Sequence, residues 1–533
     1  MRFVASILCF WALAPSAVWA EGSGTIRGRV IYEAEVPPRP TTEADVNPDV
    51  CGAHGPISAE DLVVSRDHGL SNVVLILAGI TERKPPKSDA HLEQKGCVFS
   101  PHVQAVTVGS ELLIGNDDPV VHNVHGRING ETVFNLGMPI KGVRIKRKLK
   151  LPGLTTLRCD SGHTWMLSYI AVVPHSYHAV SDASGEFVIS GVAPGAYTVR
   201  AWHERLGVID VPVILTAGKD AEIRVEFPKD RPLLREPLPL SFALEAPPPP
   251  PRVASPSPGE SPAPSPSPSA TPEPSPAIAA PLSSGDDILA ASEGERELSA
   301  RRAEREADIA RGRASYLRHC AACHGDLGDG RGESISFLRG RPRDFTRGTL
   351  EFRSTRSGDV ALEEDIVRTI AVGIPGTEMR SFRRQLSPAE QHVLARYVMS
   401  FSDRYLAASP VQVPGAPETP KNEASIARGK ELWTKLKCAQ CHGPQGRADG
   451  LSKKLVNDWG EPIKAADLGR GIYKSGPGSR DIYRTLMTGL NGTPMPAFSD
   501  LITPEETWDL VHYVESLAGS RNILERIFVP VRD

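Results

Sequence analysis

The sequence predicts a multidomain chain with an all-β N-terminal half and an all-α C-terminal half joined by a Pro-rich linker. Three observations carry that reading. Short β-branched runs between Gly and Pro punctuation fill the chain from Gly24 to Pro228. From Ala246 to Pro281 the composition collapses to Pro, Ser and Ala, which cannot bury a core. Beyond it helical periodicity takes over, and one block of sequence occurs twice.

A length of 533 residues fits several domains, and a formal net charge of −3 argues against bulk binding to nucleic acid. Met1-Arg2, an apolar run from Phe3 to Ala14, and Val18-Trp19-Ala20 before Glu21 read as a signal peptide over residues 1–20. The run is shorter than the roughly 20 residues a bilayer span needs, and no later segment qualifies. The mature chain is therefore expected to be periplasmic or secreted by a Sec-type signal, with no transmembrane segment. Of eight cysteines, Cys9 leaves with the signal and four sit in the duplicated motifs below. Cys51 and Cys97 are expected to pair as a disulfide, and Cys159 is reserved for other work.

Strands are expected at Thr25–Tyr32, Asn72–Leu77, Val103–Val108 and Leu112–Gly115, spaced as in a sandwich or Greek-key barrel. Among them lie Asn116-Asp117-Asp118-Pro119-Val120-Val121-His122-Asn123 and, further on, Cys159-Asp160-Ser161-Gly162-His163-Thr164-Trp165-Met166. His122, Cys159, His163 and Met166 make up the ligand set of a mononuclear blue (type 1) copper site: two imidazoles, a thiolate and a weak thioether. Soft sulfur favours Cu(I) while imidazole tolerates Cu(II), so one-electron exchange needs little rearrangement. A binuclear site would need a second Cys four residues before Cys159, where Thr155 stands. His102, His125, His175 and His203 read as surface or outer-shell histidines.

Roughly residues 95 to 175 resemble the cupredoxins, in the N-x-D-x-x-x-H-N segment and the Cys-His-Met ligand loop, with one extra residue between Cys159 and His163. The resemblance implies a cupredoxin-like Greek-key barrel over residues 21–175. Asp182-Ala183-Ser184-Gly185 and Ala193-Pro194-Gly195-Ala196-Tyr197 resemble the carboxypeptidase-regulatory-like β-sandwich, assigned to residues 176–230. That module has no expected chemistry. Its first strand is a candidate for the Gly24 to Tyr32 segment, which would make the copper domain an insertion. Residues 231–291 read as a disordered linker, a polyproline spacer that lets redox domains meet without a fixed interface.

In the second half, Cys320-Ala321-Ala322-Cys323-His324 recurs as Cys438-Ala439-Gln440-Cys441-His442. C-x-x-C-H is the covalent haem c pattern: Cys320, Cys323, Cys438 and Cys441 close thioethers, and His324 and His442 each ligate an iron. Asp365-Ile366-Val367-Arg368-Thr369 returns as Asp481-Ile482-Tyr483-Arg484-Thr485, and the stretch around Gly376-Thr377-Glu378-Met379 returns around Gly492-Thr493-Pro494-Met495. Ser387-Pro388-Ala389-Glu390 and Thr503-Pro504-Glu505-Glu506 read as helix caps. A glycine at 312 and at 429 precedes Tyr316 and Trp433 on the helix before each haem motif, and lets an aromatic of the closing helix pack closely. Residues from Ser292 to Tyr316 read as helix.

Each unit resembles class I cytochrome c, over residues 292–405 and 423–520, with residues 406–422 between them and a tail at 521–533. The resemblance implies two haem c groups with Met379 and Met495 as second axial ligands, and Met399 and Met487 as core. Thioether ligation leaves no open coordination site, so these haems are expected to carry electrons rather than bind substrate. Seven arginines against three acidic residues between Arg331 and Arg356 read as a solvated face, or alternatively as a docking patch for an acidic partner.

The expected function is one-electron transfer among two haems and one copper, in exchange with other redox proteins, without catalysis. Two alternatives stand beside it. One is an enzyme of the copper oxidase, nitrite reductase or di-haem peroxidase type; the other is a di-haem cytochrome with a copper-free β docking module.

Overall fold

A computed structural model of the chain describes residues 23–80, 86–243, 306–450, 455–476 and 478–519. The signal segment, most of the Pro-rich linker, the first part of the helix expected from Ser292 and the tail lie outside the described residues.

The N-terminal half forms two β-sandwiches. In the first, a five-stranded sheet runs in the order Glu131–Met138, His122–Ile128, Gly153–Arg158, Leu167–Val173, Val103–Thr107. It faces a four-stranded sheet of Arg144–Lys148, Glu111–Asn116, Ala90–Lys95 and Val98–Ser100. Alternation places Leu92, Leu112, Ile114, Val124, Leu136 and Ile145 in the core between them, which is the period-2 logic of strands with one buried face. Cys51 and Cys97 close this core with an S–S distance of 2.02 Å.

In the second sandwich, Gly24–Ile31 pairs antiparallel with Glu186–Val192 and parallel with Ala221–Glu226. Val74–Leu77 pairs antiparallel with both Gly195–His203 and His178–Val180. The first sandwich is thus inserted in the second, between Leu77 and His178. The turn into Glu186–Val192 is an Asx turn, in which Asp182 Oδ1 accepts the N–H groups of Ser184 (2.8 Å) and Glu186 (2.9 Å).

Two strands are apolar on both faces, because each serves two cores. Leu75 and Leu77 point into the second sandwich while Val74 and Ile76 point into a joint with the first. Ile170 and Val172 face the first core, and Tyr169, Ala171 and Val173 face the joint. Residues 231–243 run extended against this joint: Trp202 Nε1–H donates to Leu238 O at 2.7 Å, and Leu240 is buried. This part of the expected linker is docked.

Each C-terminal unit is a small helical bundle. In the second, helix Glu423–Lys435 crosses helix Pro504–Gly519 at Gly429, where a Cβ would stand 2.0 Å from Asp509 O and 2.7 Å from Tyr513 Cβ. In the first, a Cβ on Gly312 would stand 2.6 Å from that of Tyr397. Only glycine permits either crossing. Ser387 and Glu390 cap helix Pro388–Met399 reciprocally, and Thr503 and Glu506 do the same for helix Pro504–Gly519. Among the described residues no helix is long and apolar enough to cross a membrane.

His102, His125, His175 and His203 are all buried, so the surface reading of these four is corrected. At the joint, His102 bonds Glu204 through Nε2 and faces Leu167 O at 3.2 Å through Nδ1. Burial, with the charges of His102 and Arg205, lowers the His203 imidazole to about 3 from 6.5. The unfolded chain therefore binds a proton that the folded chain refuses between those values, and stability falls as pH drops through that window. Denaturant unfolding followed by the near-ultraviolet signal of Trp202 should show this loss below pH 6.5, and His203→Gln should flatten it.

Candidate metal and haem centres

The inner strand His122–Ile128, paired on both sides, and the loop after Gly153–Arg158 bring the predicted copper ligands together. His122 Nδ1 and His163 Nδ1 face each other at 3.1 Å, and Cys159 Sγ lies 3.8 Å from the first and 3.6 Å from the second. A point equidistant from three atoms so spaced lies about 2 Å from each, the length of a metal–imidazole bond. The donor chemistry and the spacing both fit a copper ion. All three residues are buried, as is Met166, whose N–H donates to His163 O at 3.0 Å.

Outer partners set each ligand's orientation. His122 Nε2 meets Asp118 Oδ2 at 3.0 Å, and Asp118 in turn accepts the N–H groups of Gly96 (2.7 Å) and Cys97 (2.8 Å). His163 Nε2 meets Asn47 Oδ1 at 3.0 Å, just before the short helix Pro48–Cys51. The Cys51–Cys97 bridge thus ties together the two segments that hold the imidazoles. Such partners leave both Nδ1 atoms to the site.

Burial would push His122 down and Cys159 up. Asp118 and the thiol overcome it at His122, which rises to about 9, and the two imidazoles bring Cys159 down to about 6. The cluster therefore holds a sulfur with thiolate character, the form that binds metal.

The two haem units share a geometry down to single hydrogen bonds. His324 Nδ1 is 3.0 Å from Arg343 O and His442 Nδ1 is 3.0 Å from Ala466 O, which leaves each Nε2 for iron. Gly325 and Gly443 follow at φ 78° and 80°, a region that glycine alone enters freely. Burial pushes the Cys320 and Cys438 thiols up to about 12 and Cys441 to about 11.

The methionine loops match as closely. Ile374 N–H donates to Met379 O (2.8 Å) and Leu490 N–H to Met495 O (3.0 Å); Thr377 and Thr493 each accept the methionine N–H at 3.2 Å. Met487 instead lies in the core, accepting from Thr507 Oγ1 at 3.2 Å. Trp433, 6.0 Å from the His442 ring, has a buried Nε1–H with no partner among the described residues. These crevices fit haem.

The domains meet in fixed interfaces, which corrects the expectation of domains meeting without one. The turn Ser357-Gly358 of the first unit presses on strand Glu131–Met138. A Cβ on Gly358, at φ 84°, would stand 1.8 Å from Val133 O. Ser357 Oγ accepts Asn135 N–H at 2.9 Å, and Ser357 O accepts Arg147. From the second unit, Ala497 bridges to Leu136, and Asp458 accepts Arg127 Nε (2.7 Å) and Thr132 Oγ1 (2.6 Å).

Between the haem units, Arg353 is 1% exposed and donates to Thr488 O at 2.7 Å, Arg343 stacks 4.9 Å over Trp459, and Arg368 reaches Asp481. Arg347 pairs with Glu131 at 2.8 Å. The arginine-rich segment is therefore largely an internal seam rather than a solvated face. Asn47, Asn123, Asn135 and Asp458 were missed by sequence reasoning. Only Asn123 carried a signal, as the last residue of the N-x-D-x-x-x-H-N segment.

Residues 426–518 match the family Cytochrome c, and residues 307–398 match cytochrome c oxidase, cbb3-type, subunit III. The cbb3-type cytochrome c oxidase subunit FixP of Azorhizobium caulinodans is 26% identical over 219 residues, 40% of this chain and 60% of FixP. The chain thus spans 60% of the length of that curated relative.

Among solved structures, a chain of the Kuenenia stuttgartiensis reducing HAO-like protein complex is 37% identical, with a TM-score of 0.38, over 39% of this chain and 95% of that one. A purple cupredoxin from Nitrosopumilus maritimus is 24% identical, with a TM-score of 0.14, over 16% of this chain and 99% of its own. The helical half carries two segments that match cytochrome c families.

Asp458→Ala should take from half-buried Arg127 and from Thr132 their shared acceptor, leaving Arg127 no carboxylate but Asp160 at 3.4 Å, at a cost of about 1–3 kcal/mol. Limited proteolysis should then release the second cytochrome domain faster from the β half, with unchanged haem spectra.

Proposed function

We propose that the chain is an exported one-electron carrier with two covalent haem c groups and one mononuclear type 1 copper, exchanging electrons with other redox proteins. The observation that carries the copper half of this reading is the convergence of His122 Nδ1, His163 Nδ1 and Cys159 Sγ. Bound there, copper supplies a Cu(I)/Cu(II) couple, and the haem irons supply Fe(II)/Fe(III) couples.

The residues have distinct tasks. Cys159 would give the thiolate, His122 and His163 the imidazoles, and Met166 a weak thioether. Asp118 and Asn47 hold the rings in one orientation, so little moves when charge changes. Burial of all four ligands keeps water out. Cys320 with Cys323, and Cys438 with Cys441, anchor the porphyrins. His324 with Met379, and His442 with Met495, would hold the two irons. The identical turns around Met379 and Met495 favour a carrier over the peroxidase alternative, which needs one haem free of its methionine.

Copper-loaded minus copper-free spectra of the haem-containing chain should show a Cu–thiolate absorption near roughly 600 nm, with narrow copper hyperfine splitting. Cys159→Ser should abolish the band, and Asn47→Ala should weaken copper binding about 10–100-fold. Failure to take up copper, or a band that survives Cys159→Ser, would remove the copper half of the reading.

A further inference from the structure

We propose that the second haem is the central member of the array. Electrons exchanged between copper and the first haem pass through it, by way of the loop 489–497 that carries Met495. This deepens the copper-and-haem reading above and rests on it.

The copper side reaches that loop through a short buried chain of hydrogen bonds. Asn123 N–H donates to Cys159 Sγ at 3.4 Å, and Asn123 Nδ2–H donates to Asn135 Oδ1 at 2.8 Å. Asn135 Nδ2–H then donates to Thr493 O at 3.1 Å, and Ala497 N–H donates back to Asn135 O at 3.1 Å. Thr493 Oγ1 accepts Met495 N–H. Both asparagines are 2% exposed, so their amides are held in place and water does not compete for them. The second haem is also held from its cysteine side, where Lys437 Nζ, next to Cys438, donates to Pro119 O at 2.6 Å in the Asp118 loop.

The first haem reaches the same loop from the other direction. Arg343 O bonds His324 Nδ1, and the Arg343 guanidinium donates to Asn491 O at 3.3 Å. Gly358 N–H donates to Asn491 Oδ1 at 3.2 Å.

Direct contacts of the copper domain with the first cytochrome unit lead elsewhere. Among the described residues, their side-chain hydrogen bonds and ion pairs end on Arg347, Thr349, Ser357 and Asp359, beside the steric contact of Gly358 with Val133 O. None of these is an iron ligand or a partner of one. One loop therefore gathers the outer shells of all three centres, and it belongs to the second haem.

The step balances with one electron and no proton. Cu(I) becomes Cu(II) as Fe(III) of the second haem becomes Fe(II), and that haem then reduces Fe(III) of the first, or the sequence runs in reverse. The test uses the full chain carrying both haems and copper, with copper loading scored first by the thiolate absorption. Met495→His replaces a thioether by an imidazole and lowers the second haem's potential, raising a barrier in the middle of the array. After flash reduction of copper, the fast reduction of the first haem should be lost in this variant, and Asn135→Leu should lose the fast copper phase.

A readout independent of electron flow uses copper-free protein labelled with nitrogen-15 at asparagine. The Asn135 side-chain amide protons should carry a paramagnetic shift that follows the oxidation state of the second haem. First-haem reduction at the unaltered rate in Met495→His, or an Asn135 shift that follows the first haem, would overturn the order alone. No thiolate absorption in the unmodified chain would overturn the order together with the reading beneath it.

Discussion

The proposed carrier depends on the docking of both cytochrome units onto the strand Glu131–Met138, because electron transfer through protein fades steeply with distance. That docking is built from polar groups drawn out of water, Arg127 on Asp458 and Arg147 on Ser357 O, while Arg353 on Thr488 O joins the two cytochrome units to each other. Buried charges contribute little net stability, because desolvation offsets their attraction. Their geometric demands are strict, however, and a slipped register would leave each of them unpaired. Gly358 adds a steric constraint, since its approach to Val133 O admits no side chain.

The same economy governs the Cys159 cluster. Two imidazoles and a thiol crowded in a buried pocket would repel or desolvate one another without outer partners. Asp118 and Asn47 each take one Nε2, and the Cys51–Cys97 bridge keeps the segments that present them side by side. In the proposed carrier, a site prepared in this way would reorganise little on a change of metal charge.

The haem units were readable in the sequence because their chemistry is local. C-x-x-C-H, the Gly-Thr-x-Met turns, the two capping boxes and the crossing glycines each lie within a few residues, and the duplication checks one copy against the other. The convergence of His122, Cys159 and His163 was readable too, because they lie in two short segments of distinctive donors.

What lay beyond reading was long-range partnership. Asn47 stands 116 residues from His163 and Arg353 135 from Thr488, and nothing in a neighbouring residue announces either contact. The arginine-rich segment looked solvated because charge alone does not reveal whether the partner is water or a distant carbonyl. The Pro-rich composition said nothing about the interfaces on either side of it. The repeated Asp365 and Asp481 were seen only as a repeat. In the structure both cap a helix, and Asp481 also receives Arg368 from the other unit.

The most direct test of the account is a coulometric titration of the full, copper-loaded chain with its optical spectrum recorded at each step. Three one-electron equivalents, two at the haem bands and one at the thiolate band, are the predicted result. Two equivalents, or a thiolate band that does not respond to reduction, would contradict a three-centre carrier.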